Sequence, residues 1–146
     1  MTKTWHPCLT RRYGPKEGLD GNQGVVVVRV EVKTFDKPDE TRPFEGKGYA
    51  DMVTVAGKTV ECGHFEPGWR WSNNVKPIAG TESCEFSHLM YVLQGRLRIH
   101  MNDGSEQELT PGELAAILPG HDAEVVGDEE CVALDFGEIA EYAQRK

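Results

Sequence analysis

The sequence predicts an all-β domain, a sandwich or barrel of short antiparallel strands, preceded by an N-terminal arm and closed by one short C-terminal helix. Three observations predict it. Apolar and β-branched residues recur with a period of two over runs of four to nine residues, the pattern of half-buried strands. Gly, Pro, Asn and Asp clusters separate those runs at short intervals. No stretch sustains a helical period long enough for the helices of a parallel α/β sheet, and no segment repeats. A length of 146 residues suits one domain, and 38% hydrophobic with 27% charged residues supplies one globular core rather than a disordered or coiled-coil chain.

Residues 1–24 are rich in Gly, Pro and charge, as in Tyr13-Gly14-Pro15-Lys16-Glu17-Gly18, and read as an arm; residues 25–146 read as the domain. Val25 to Lys33 alternates Val28, Val30 and Val32 against Arg29, Glu31 and Lys33, so a first strand is expected there. A polar connector from Asp36 to Lys47 carries Pro38 and Pro43. Tyr49 to Val55 and Lys58 to Phe65 then form a hairpin around Ala56-Gly57. Trp69 to Ser83 is the longest irregular loop, and such loops commonly carry function.

His88 to Gln94, Arg96 to Asn102 and Glu106 to Leu109 follow as strands, with Asn102-Asp103-Gly104 able to take positive φ at the tight turn. Glu113 to Leu118 ends at Pro119-Gly120, and Ala123 to Val126 and Cys131 to Phe136 complete about nine strands. Gly137 to Lys146 places Ile139, Tyr142 and Ala143 on one face of the expected terminal helix.

Charge narrows the partners. Sixteen Lys and Arg against 24 Asp and Glu give a net charge of −8, which repels a phosphate backbone, so nucleic acid is not expected as a partner. No apolar run reaches the roughly 20 residues of a membrane-spanning helix. The stretch Met1 to Pro7 lacks the apolar region of a secretory signal, so a cytoplasmic protein is expected. Its four cysteines, Cys8, Cys62, Cys84 and Cys131, contain no C-x-x-C pair and are expected as free thiols.

From Phe65 to Phe136 the chain resembles the cupin superfamily. Tyr91-Val92-Leu93-Gln94-Gly95-Arg96-Leu97 is similar to the family's "YVLxG" core. Asp103-Gly104 through Pro111-Gly112-Glu113 resembles the hairpin leading to its second motif, and Leu118-Pro119-Gly120-His121 resembles that motif's "PxG" turn. The resemblance implies a double-stranded β-helix, the cupin jelly-roll barrel, with a small-molecule pocket between its sheets and a homodimeric assembly. It does not choose among isomerases, dioxygenases, decarboxylases and ligand-binding modules. The usual cupin metal set is absent. His88 stands seven residues before Gly95 where Glu is expected, and Ala123 stands three after Gly120 where His is expected. The positions of the first pair hold Asn74 and Lys76 or, in the other alignment, Glu82 and Cys84. Trp69-Arg70-Trp71-Ser72, Val75 to Gly80, Ser83-Cys84 and Pro119 to Ala123 resemble a group of bacterial cupins without an assigned activity.

The residues nevertheless offer another ligand set. Cys84, His88 and His121, with Glu82 or Asn74 as a fourth group, form a mixed S/N/O set suited to one divalent ion, zinc, iron, nickel or manganese. An even separation of Cys84 and His88 puts both on one face of an extended chain. The same residues also fit a core histidine, a packed thiol and a turn histidine with no metal. Trp69, Trp71, Asn74, Lys76 and Met90 are the candidate ligand-pocket residues, Arg70 the candidate partner of a ligand carboxylate, and Glu82 the candidate proton carrier.

Two functions therefore stand open: a small-molecule-binding module, and a metal-dependent enzyme acting on a small organic acid or sugar derivative. A third, cyclic-nucleotide binding, is suggested by Gly112-Glu113-Leu114-Ala115, which is similar to the start of that family's phosphate cassette. It lacks the required Arg, since none lies between Arg98 and Arg145.

Overall fold

The computed structural model describes residues 30–146. Its strands are β1 (Glu40–Pro43), β2 (Gly48–Val55), β3 (Lys58–Phe65), β4 (His88–Gln94), β5 (Leu97–Met101), β6 (Glu106–Leu109), β7 (Leu114–Ile117), β8 (His121–Val125) and β9 (Cys131–Asp135). Two single-turn helices, α1 (Trp71–Asn74) and α2 (Lys76–Ala79), lie between β3 and β4. All pairings are antiparallel, in a six-stranded sheet ordered β1-β2-β3-β9-β4-β7 and a three-stranded sheet ordered β6-β5-β8.

Alternation explains how the sheets meet. In β4, His88, Met90 and Val92 are buried while Leu89 and Tyr91 are exposed; in β8, His121, Ala123 and Val125 are buried. With Leu97 and Ile99 of β5, these inward residues join one core between the two sheets. Gly95, at φ +72, turns the chain from β4 into β5 with its α-carbon against the backbone of Glu130 and Cys131, where a side chain has no room. The arrangement is the double-stranded β-helix expected from the sequence.

Several local expectations change. Of the strand expected over 25–33, residues 25–29 fall outside the described residues, as does the arm 1–24; residues 30–33 form no strand, and Val30 and Val32 are exposed. Among the described residues the outer strand is β1, inside the stretch read as a connector. Its Pro43 is tolerated because a sheet-edge strand needs no amide on its open side. The loop from Trp69 contains α1 and α2. Residues 137–146 form turns instead of a helix, with Ala143 at φ +50, yet Ile139, Tyr142 and Ala143 still pack into the core. Arg42 holds this segment by donating from Nη1 to the Tyr142 carbonyl at 2.6 Å. Cys84 and Cys131 are free and buried, whereas Cys62 is disulfide-bonded, which corrects the expectation of free thiols throughout.

Candidate metal centre

Three separate segments bring Cys84, His88 and His121 together inside the barrel. His88 opens β4 and His121 opens β8, each at an inward position. Cys84 precedes β4 in an extended segment whose backbone bridges the turn before β8: its N–H donates to the His121 carbonyl at 2.8 Å, and its carbonyl accepts from Gly120 N–H at 2.7 Å. Pro119-Gly120 makes that turn, with Gly120 at φ +91. One potential ligand atom from each residue lies within 4.8 Å of the others. Cys84 Sγ and His88 Nε2 are 3.3 Å apart, close to the ~3.5 Å between sulfur and nitrogen on a tetrahedral zinc.

Both imidazoles are oriented from behind. Asp135, from the neighbouring strand β9, accepts from His88 Nδ1, and the Leu118 carbonyl accepts from His121 Nδ1 at 2.7 Å. A carbonyl or carboxylate can only accept, so each Nδ1 carries the proton and each Nε2 is left as the ligating atom. Asp135 is itself held at Oδ1 by the N–H groups of Leu89 and Gly137, at 3.1 and 2.9 Å.

Burial pushes the Cys84 thiol up, but hydrogen bonds with His121 and His88 outweigh it and lower its pKa to about 7. For His88 burial acts downward, and hydrogen bonds with Asp135 and Cys84 prevail, raising it to about 10. Without a metal, a lowered thiol on Cys84 and a raised imidazole on His88 favour each other's charged forms across their hydrogen bond. A divalent ion bound at Nε2 would replace the His88 proton there.

Beside the cluster lies a cavity of ≈20 Å³, about the room of one water. His88, His121, Asp135, Glu61, Trp69 and Trp71 are among its walls, with Met90 and Tyr142. Trp71 and Tyr142 also border a larger pocket of ≈260 Å³ on the outside, lined further by Val75, Ile78, Phe86 and Glu141.

Arg70 explains why both tryptophans point inward. It pairs with Asp122 at 2.9 Å and Glu124 at 2.7 Å on the outer side of β8, so Trp69 and Trp71 on either side of it turn to the core. The expected role of Arg70 toward a ligand carboxylate is replaced by this internal pairing. Asn74 is also internal, accepting from Arg70 N–H and donating to the Glu45 carbonyl. Lys76 and Glu82 pair with each other at 2.9 Å at the surface, with the Glu82 side chain 97% exposed, so neither they nor Asn74 join the cluster.

Sequence reasoning missed Glu61, Asp135 and Tyr142. Glu61 and Asp135, each 1% exposed, stand opposite one another in the β3–β9 ladder. The available signal was a carboxylate inside an apolar strand run, Val60-Glu61-Cys62 and Ala133-Leu134-Asp135. For Tyr142 the sequence signals only a helix face shared with Ile139 and Ala143.

No family model and no curated protein matches the sequence. Among solved structures, a protein of unknown function from Rhizobium leguminosarum shares 23% identity, covering 63% of this chain and 81% of its own, with a TM-score of 0.49. KdgF from a Halomonas species shares 19%, covering 67% and 86%, with a TM-score of 0.48. A Klebsiella pneumoniae protein described by its double-stranded β-helix domain shares 22%, covering 64% and 78%, with a TM-score of 0.44. Its own two-sheet topology, and the glycine turns at Gly95, Gly112 and Gly120 where the motifs require them, give this chain the cupin fold.

Proposed function

We propose that this cupin-fold protein holds one divalent metal ion on Cys84 Sγ, His88 Nε2 and His121 Nε2, and presents the ion's remaining position to a small-molecule ligand. The observation that carries the reading is the pair of anchored Nδ1 atoms, which aims both Nε2 atoms at the thiol. Such partners behind ligating histidines are characteristic of metal sites. One thiolate with two imidazoles suits zinc better than the oxygen-seeking cations. A bound ion would supply Lewis-acid polarisation of a ligand oxygen. The outer pocket beyond Trp71 and Tyr142 is the natural seat for the body of an organic ligand, because the inner cavity is too small for one.

Elemental analysis of protein purified without chelator tests this beside His88→Ala and Cys84→Ser. Near-stoichiometric metal in the parent, lost in both variants, is the expected result. Failure of the parent to take up zinc on reconstitution would leave the metal-free binding module, a reading favoured by the hydrogen bonds the cluster already satisfies internally. A metal-loaded protein would then be screened for turnover of small organic acids and sugar derivatives.

Homodimerisation belongs to the same proposal. Leu89, Tyr91 and Leu114 are exposed on the outer face of β4 and β7, and among the described residues β7 is a sheet edge. Exposed apolar residues at an unpaired edge suit a second copy of the chain.

A further inference from the structure

Among the described residues, three buried polar atoms without a hydrogen-bond partner belong to residues that line one cavity. They are the indole Nε1 atoms of Trp69 and Trp71 and Oε2 of Glu61. Their residues are 2%, 2% and 1% exposed, so bulk water does not serve them. Buried polar groups are nearly always satisfied, and several unsatisfied ones around one small space mark a site for a bound molecule. Most of the remaining lining is apolar, including Met90, Leu97 and Ile117, and offers the two indoles no acceptor.

The chemistry of the walls selects the occupant. An indole N–H only donates, so whatever sits there accepts from two donors. A volume of ≈20 Å³ admits an oxygen-sized group and little more. We propose that this cavity is a binding site for one oxygen acceptor, which accepts from the Trp69 and Trp71 indole N–H groups and from the acid O–H of Glu61. The oxygen of a water satisfies it in the resting protein, and the carbonyl or carboxylate oxygen of a ligand takes that place. His88 and His121 wall the same space, so the bound oxygen lies against the cluster. The site does not rest on a metal in that cluster.

Indole N–H cross-peaks of ¹⁵N-labelled full-length protein give the test, in a Trp5→Phe background that leaves only Trp69 and Trp71. Formate and its neutral analogue formamide are the probes, each titrated into chelator-treated and zinc-loaded protein. The expected result is that at least one probe moves both cross-peaks together, saturably and with one affinity, with or without metal. Glu61→Leu should weaken that affinity about tenfold, as for one lost hydrogen bond, while the isosteric Glu61→Gln largely retains it. Cross-peaks that do not move, move with different affinities, or drift without saturating under both probes would overturn the site. So would an unchanged affinity in a folded Glu61→Leu protein. Zinc uptake with silent indoles would sink this site alone. Saturable indole shifts in a protein that takes up no zinc would sink the metal reading alone.

Discussion

His88 donates from Nδ1 to the Asp135 carboxylate, whose second oxygen is pinned by the N–H groups of Leu89 and Gly137, so the ring that opens β4 is fixed by the strand beside it. Loss of a carboxylate behind a ligating histidine typically costs 10- to 100-fold in metal affinity. Asp135→Asn should therefore weaken zinc binding by about 10- to 100-fold, read by competition against a chromophoric chelator. An affinity equal to the parent's would remove Asp135 from the centre.

A metal bound at this cluster would compete with protons. Cys84 titrates at about 7 and His88 at about 10, so zinc added near neutrality should displace the His88 proton and the fraction still on Cys84. Apparent affinity should rise with pH through the Cys84 value and on toward that of His88. Proton release measured in weak buffer checks the first statement, and chelator competition across pH the second. A pH-independent affinity contradicts both.

Cys84 and Cys131, the free thiols among the described residues, should differ in reactivity. Burial, followed by the Glu130 and Glu129 carboxylates, pushes Cys131 up to about 12, whereas the histidines bring Cys84 to about 7. Iodoacetamide on chelator-treated native protein should label Cys84 before Cys131, and zinc should protect Cys84. Peptide mass spectrometry over time reads the order; equal rates at the two sites would refute it.

Glu61 makes stability depend on pH with a definite sign. Burial first, and the Asp135 carboxylate second, raise it from 4.5 to about 8. Between those values the unfolded chain has lost a proton that the folded chain keeps, so this group's contribution falls as pH rises from 4.5 to about 8. The loss is complete above that window and absent below it. Glu61→Gln removes the slope and should exceed the parent in stability at the alkaline end, by an amount on the order of a few kcal/mol. Thermal midpoints of parent and variant at both ends of the window decide it, and a constant difference between them would count against a protonated Glu61.

The apolar edge gives the last expectation. Leu114, 62% exposed, lies opposite Tyr91 in the β4–β7 ladder. Leu114→Glu should convert a dimer to a monomer in sedimentation velocity without lowering the thermal midpoint of the monomer. A parent that is monomeric at high concentration disposes of the interface.

Strand periodicity and turn residues alone determined most of this molecule: the runs from Tyr49 to Phe65 and from His88 to Phe136, and the glycine turns joining them. Both signals are local, since alternation decides which residues face inward and Gly95 or Gly120 decides where the chain can reverse. Local too were the Cys84, His88 and His121 candidates, which stand beside recognisable turns. The β1 strand escaped because its sequence is polar and holds Pro43, and only pairing with β2 stabilises it. The terminal turns escaped because Ile139, Tyr142 and Ala143 are apolar at helical spacing, while Arg42 and the core fix them in another conformation.

What the tertiary structure decided is the company each residue keeps. Asp135 lies 47 residues from His88 and reaches it only because β9 pairs with β4. Glu61 meets Asp135 only through the β3–β9 ladder, and Arg70 finds Asp122 and Glu124 only when the loop after β3 folds across β8. A side chain's chemistry is written in the sequence, but its burial, its partners and the proton it carries follow from which strands become neighbours.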